Sequence, residues 1–179
     1  MLKKILLALV VVVVVLLIVV GLQPSEYRVT RSITIAAEPA VVFPQVDDLK
    51  KWEAWSPWLK MDPAMKLTYS GPAAGVGAVS AWAGNNEVGE GRMTITESRT
   101  RELVRFHLEF FKPMAGISAS EFTFKPEGNQ TVVTWAMTGK NNFIGKGLCL
   151  FMNMDKMVGG QFDQGLASMK TVAEAAGKK

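Results

Sequence analysis

The stretch Val29–Trp58, VTRSITIAAEPAVVFPQVDDLKKWEAWSPW, changes character three times in thirty residues. Its opening is rich in valine, threonine and isoleucine, which suit a pleated surface, so Tyr27–Ile35 is predicted as a strand. Glu38-Pro39 then marks a turn, and two short helical pieces follow with Pro44 between them, because proline cannot continue a helix interior. Trp52, Trp55 and Trp58 recur at steps of three, and the chain has only five tryptophans. Ser56-Pro57 separates the last of them from the other two. A residue before proline is driven out of the α region, so the segment must bend there. The expected division is that Trp52 and Trp55 pack the short helix onto a sheet, while Trp58 faces a cavity mouth.

Downstream the chain reads as short strands punctuated by turn chemistry. The candidates are Met65–Ser70, Ala78–Ala83, Val88–Glu97, Leu103–Phe111, Ile117–Lys125 and Thr131–Thr138, separated by segments rich in Gly, Pro, Asn or charge. Connections this short imply antiparallel neighbours. From about Phe143 to Ala176 the period changes, with Leu148, Phe151, Val158, Phe162, Leu166, Met169 and Ala173 at three- and four-residue steps. That is the pattern of one long amphipathic helix. Gly159, Gly160 and Gly165 lower its propensity by roughly 1 kcal/mol each, so close packing has to compensate. A curved antiparallel sheet of about seven strands closed by this helix is an α+β architecture that leaves a gap between its two layers.

Upstream, Ile5–Val20 is unbroken apolar sequence, extended by Gly21 and Leu22. Eighteen residues of helix span roughly 27 Å, close to the hydrocarbon thickness of a bilayer. The run exceeds a signal-peptide core and no A-x-A-like site follows, which favours an uncleaved anchor over a cleaved signal. Residues 1–23 are therefore assigned to a transmembrane anchor and 24–179 to one folded domain. Lys3 and Lys4 put the N-terminus on the cytoplasmic side and the domain outside, in a bacterial periplasm or at the cell surface. One cysteine allows no internal disulfide and is compatible with either side. The net charge of +4 includes those two lysines, and no basic stripe follows them, so nucleic acid is not an expected partner.

Face assignment on Leu103–Phe110 separates Val104, Phe106, Leu108 and Phe110 from Arg105, His107 and Glu109. The only histidine thus falls on the polar face, a poor position for a general base. One histidine and one cysteine cannot make a typical zinc site, no calcium-loop spacing is present, and no cofactor is expected. The G-x-G pairs in GVGAVSAWAG and GEGR lack the following helix and lysine of a phosphate site and read as turns. Cys149, on the apolar stripe, reads as a small buried hydrophobe. Glu90 or Glu121 is the weak candidate for a carboxylate inside the pocket. The apolar strand faces and the helix suggest a lining that includes Trp58, Tyr69, Trp82, Phe106, Phe122, Trp135, Met152 and Phe162, with methionine adding adaptability.

The opening strand VTRSITIAAEPAVVF, the WEAWSPW segment and the later GVGAVSAWAGN, GEGRMTITES and EFTFKPEGNQTVVTWAMTG resemble the SRPBCC superfamily, the START-like helix-grip proteins that include polyketide cyclase/dehydrase-like and lipid-transfer members. The likeness covers roughly Tyr27 to Ala176. It implies a helix-grip cavity for a hydrophobic small molecule or lipid, and brings no universal catalytic residues with it. The expected function is membrane-anchored binding of such a ligand. Two alternatives stand beside it: a polyketide cyclase/dehydratase-like enzyme using an inward Glu90, Glu121 or Tyr69, and a structural or regulatory partner of another envelope protein.

Overall fold

The computed structural model describes residues 1–141, 143–150 and 154–177, without the side chains of residues 144, 148, 149 and 154. The apolar N-terminal run forms helix α1, Leu2–Leu22, on which only Val20 is buried. Among the described residues it is the one helix long and apolar enough to cross a membrane. Strand β1 (Glu26–Ile35) follows after three residues. Helices α2 (Pro39–Val42) and α3 (Pro44–Asp47) each start on proline, whose missing N–H would be unpaired at that position anyway. A 3-10 turn, Leu49–Ala54, is capped by Asp48, whose carboxylate accepts from the Lys50 N–H at 3.0 Å. Helix α4 (Pro57–Met61) begins at the Ser-Pro bend.

Six strands come next: β2 (Lys66–Ser70), β3 (Val79–Ala83), β4 (Glu90–Arg99), β5 (Leu103–Lys112), β6 (Gly116–Glu127) and β7 (Gln130–Lys140). They pair with β1 in one antiparallel sheet ordered β1-β7-β6-β5-β4-β3-β2. Irregularities of register between Glu90 and Gly91 and between Ile95 and Glu97 add the local bend and twist that a curved sheet needs. Strand β4 starts two residues later than the sequence suggests, because Val88-Gly89 belongs to the turn. Gly89 has φ 70°, and a Cβ there would run into the Lys112 carbonyl. Gly75 and Gly77 likewise lie in the turn before β3, as read from the sequence.

The C-terminal helix differs from the single element expected. Helix α5 (Phe143–Cys149) ends in a turn at Leu150, and α6 runs from Met154 to Ala176. The two pieces serve different neighbours: α5 lies against the last turn of α1, with Gly147 beside the Val20 methyl groups, whereas α6 packs along β1. Phe162, Leu166, Met169 and Ala173 form the buried stripe of α6. The stripe residue Phe151 lies outside the described residues, as do the side chains of Leu148 and Cys149.

Packing accounts for two of the three α6 glycines. Gly159 faces the Arg31 guanidinium and Gly165 faces Trp135 and Pro57, while Gly160 has nothing within 4 Å. Hydrogen bonds fix α6 along the edge strand: Arg31 donates to Asp155 and Asp163, Lys170 Nζ to the Thr34 carbonyl at 2.7 Å, and the Ala36 N–H to Glu174 at 2.8 Å. The sheet face and the α6 stripe thereby enclose the core.

Candidate functional site

The aromatic content of the inner sheet face is the starting point. Strand β5 turns Phe106, Leu108 and Phe110 inward, β7 supplies Trp135 and Met137, and β3 supplies Ser80 and Trp82, each pair at the two-residue spacing that keeps side chains on one face. Val158 and Phe162 of α6 and Trp58 of α4 face them. They surround a cavity of about 180 Å³, with room for about six waters or an apolar molecule of that bulk.

Ring geometry makes its wall stiff. The Trp135 indole stacks on Phe162 with centroids 3.9 Å apart and planes 7° from parallel. Trp58 meets Trp135 edge-on at 5.6 Å, and Trp82 meets Phe110 edge-on at 5.8 Å. Such pairs add roughly 0.5–1.5 kcal/mol each beyond burial. Trp52 and Trp55 are buried as expected, with indole N–H groups donating to the Val46 and Gln45 carbonyls at 2.9 Å.

Six of the eight residues expected at the lining are there: Trp58, Tyr69, Trp82, Phe106, Trp135 and Phe162. Phe122 is not. It is fully buried under Trp135 (4.6 Å, 28°) and the edge of Trp52, so these two indoles separate it from the cavity. Met152 lies outside the described residues. Trp52 and Leu49 line the cavity in addition to packing the short helix, and so does Ser120. The approach of Trp52 to both Phe106 and Phe122 is a tertiary contact without a periodic signal in the sequence.

The polar groups on the wall are few. Ser120 Oγ accepts from Trp135 Nε1 at 2.9 Å and donates to the Ala136 carbonyl at 3.1 Å. Ser56 and Ser80 are buried among the apolar side chains of the wall, and Ser56 makes no side-chain cap bond to α4. Tyr69 donates its hydroxyl to Glu53 at 2.7 Å, with the Lys50 ammonium 5.9 Å from the ring centre. Burial, then the bond to Glu53 and the negative charges of Glu53 and Asp48, push the phenol above its ordinary range. Tyr69 is the single titratable side chain on the described wall.

The candidate carboxylates are not inside. Glu121 pairs with Arg105 at 2.6 Å, Arg105 also reaches Glu97 at 2.6 Å, and Glu90 pairs with Lys112 at 2.8 Å. Neither lines the cavity. An ionised carboxylate keeps water and a cation at the surface more cheaply than it enters an apolar cavity. His107 is on the outer side of β5, beside Glu109, whose carboxyl the hydrogen bond from Arg92 holds below the usual range. Among the described residues no group of three or more His, Cys, Asp and Glu side chains is placed to hold a metal.

Known structures share this arrangement. The protein TTHA0849 from Thermus thermophilus matches with a TM-score of 0.61 and 21% identity, over 84% of this chain and 99% of that one. The Aha1 dimer from Colwellia psychrerythraea matches at 0.59 and 17%, over 83% and 96%. Protein CV1439 from Chromobacterium violaceum matches at 0.57 and 16%, over 84% and 98%. These likenesses establish the helix-grip fold. No curated protein matches the chain. The model of one family, described as polyketide cyclase/dehydrase and lipid transport, matches residues 26–174. With that match spanning the whole sheet and nearly all of α6, the chain belongs to the polyketide cyclase/dehydrase and lipid transport family of SRPBCC-type helix-grip proteins.

Proposed function

We propose that the protein is a membrane-tethered binding domain that holds a lipid or other hydrophobic small molecule between the sheet and α6. Residues 1–23 act as an uncleaved anchor with a cytoplasmic N-terminus, and residues 24–179 form the extracytoplasmic binding domain. Trp58, Tyr69, Trp82, Phe106, Trp135 and Phe162 contact the ligand, and Phe122 supports Trp135 from behind. The observation that carries this reading is the wall itself: aromatic and aliphatic side chains, three serines and one tyrosine. Apolar surface of this kind gains roughly 25 cal/mol for each Å² taken out of water, and the hydroxyls orient a ligand rather than transform it. A cyclase or dehydratase reading rests on Tyr69 alone, and its hydroxyl is already committed to Glu53.

The test is photolabelling in membranes containing the full chain, with a diazirine-bearing alkyl probe. The expected result is adducts on peptides of β5 and β7 that disappear in Leu108→Trp, which fills the cavity. Adducts confined to α1, or unchanged in that variant, would overturn the proposal.

A further inference from the structure

The register of the sheet gathers several features at one end. Glu26, the first residue of β1, lies opposite Lys140 of β7, Gly139 lies opposite Ser118 of β6, and Gly116 lies opposite Phe110 of β5. The β5–β6 hairpin therefore projects from the same end of the sheet as the junction with α1. That junction is short and held in place. Gln23–Ser25 span at most about 10 Å when extended, the Asn141 N–H donates to the Ser25 carbonyl at 2.7 Å, and Lys146 Nζ donates to the Gly21 carbonyl at 3.4 Å.

This end is also where apolar side chains stand uncovered. Beyond the C-terminal end of α1, six large hydrophobic residues are exposed among those described, and four of them are here: Phe111, Met114 and Ile117 on the hairpin, and Phe143 at the start of α5. Ile117 is 64% exposed, unlike the buried Ser118 beside it. An apolar tip of this kind marks an interaction surface rather than scatter. The cavity leads toward the same place. Along β5 its inward side chains pass from Phe106, 1% exposed, to half-buried Leu108 and Phe110, and Val88 in the β3–β4 turn completes the rim.

We propose that the Phe111–Ile117 hairpin seats in the interface of the bilayer that α1 crosses, so that the cavity mouth faces the leaflet and takes its apolar ligand from it laterally. The occupant follows from the tether: a segment about 10 Å long leaves this end no other surface of comparable reach. The inference rests on the anchoring of α1 proposed above. It adds a docking surface and a route of loading.

The experiment uses the full chain, carrying Cys149→Ser, in vesicles of phosphatidylethanolamine and phosphatidylglycerol. Nitroxide labels are placed singly at Val12→Cys, Met114→Cys and Asn129→Cys, the last in the β6–β7 turn at the opposite end of the sheet. Relaxation by oxygen is compared with relaxation by a water-soluble nickel complex. The expected result is oxygen-dominated relaxation at 12 and 114 and nickel-dominated relaxation at 129. Oxygen dominance at 12 with nickel dominance at 114 overturns the docking surface and leaves the anchor standing. Nickel dominance at both overturns the anchor as well. Dipolar broadening at 114 that vanishes on dilution with unlabelled chain shows a second copy on the hairpin and also overturns the proposal. Loading is read in vesicles doped with a diazirine phospholipid: Met114→Asp with Ile117→Asp should lower labelling of β5 severalfold, and undiminished labelling contradicts the lateral route.

Discussion

Trp135 and Phe162 lie almost flat against each other, 3.9 Å between centroids, and this contact joins β7 to α6 where the cavity meets the core. Phe162 is 1% exposed, so Phe162→Ala removes both its burial and the stack on Trp135. The loss should be about 3–5 kcal/mol, the usual range for a buried phenylalanine. Urea unfolding followed by tryptophan fluorescence measures it, and a loss under about 1 kcal/mol would mean that α6 does not close over Trp135 as described.

Arg31 spans from the edge strand to the start of α6, donating to Asp155 at 2.9 Å and to Asp163 at 3.1 Å, with Gly159 beneath its guanidinium. A methyl group at Gly159 would collide with that guanidinium, so Gly159→Ala should speed amide exchange over residues 154–162 while the β5–β6 pairing stays protected.

The same latch makes stability depend on pH in a defined direction. The hydrogen bond from Arg31 holds the Asp155 carboxyl below the ordinary range, and the bond from Arg92 does the same for Glu109. A depressed folded-state value stabilises above the unfolded value, roughly 3.9 for aspartate and 4.3 for glutamate, and that stability is lost as pH falls through the folded value. Melting temperature should therefore fall on acidification below about pH 4. Arg31→Gln should shallow that fall, leaving the share of Glu109; an unchanged acid limb would show that the Arg31 latch contributes nothing.

Tyr69 gives the opposite limb. Its phenol is raised by burial and by Glu53, so the folded state retains a proton that the unfolded chain gives up near pH 10. Stability present below that value should decline as pH rises beyond it. The chain has two tyrosines, so the ultraviolet titration of wild type minus Tyr69→Phe isolates this group. Glu53→Gln should move its ionisation to lower pH, and an ordinary midpoint in the wild type would rule out the described environment.

Ser80 separates stability from binding. It is 4% exposed, and its hydroxyl sits among the apolar side chains that line the cavity. Ser80→Leu removes that hydroxyl and fills space, so it should raise stability by roughly 1 kcal/mol while weakening uptake of an apolar probe. A destabilised variant with intact uptake would place Ser80 away from the ligand space.

Period carried the sequence reading far where it was local. The alternation of Phe106, Leu108 and Phe110 with Arg105, His107 and Glu109 placed the inner face of β5 correctly, and the three-four steps of Phe162, Leu166, Met169 and Ala173 found the buried stripe of α6. Tertiary contacts were less legible. Phe122 shares a face with Ser120, yet only the serine reaches the cavity, because Trp52 and Trp135 cover the ring. The Arg31 to Asp155 pair joins residues 124 positions apart, and α5 packs on α1 while α6 packs on β1. Neither leaves a periodic trace. Glu90 and Glu121 were placed by residue type alone, and their partners Lys112 and Arg105 keep them at the surface.

Mass spectrometry of organic extracts from residues 24–179, purified without detergent, reads the contents of the cavity. Binding of an apolar ligand predicts a molecule retained near one per chain and lost in Leu108→Trp. An empty domain that also takes up no apolar probe would contradict it.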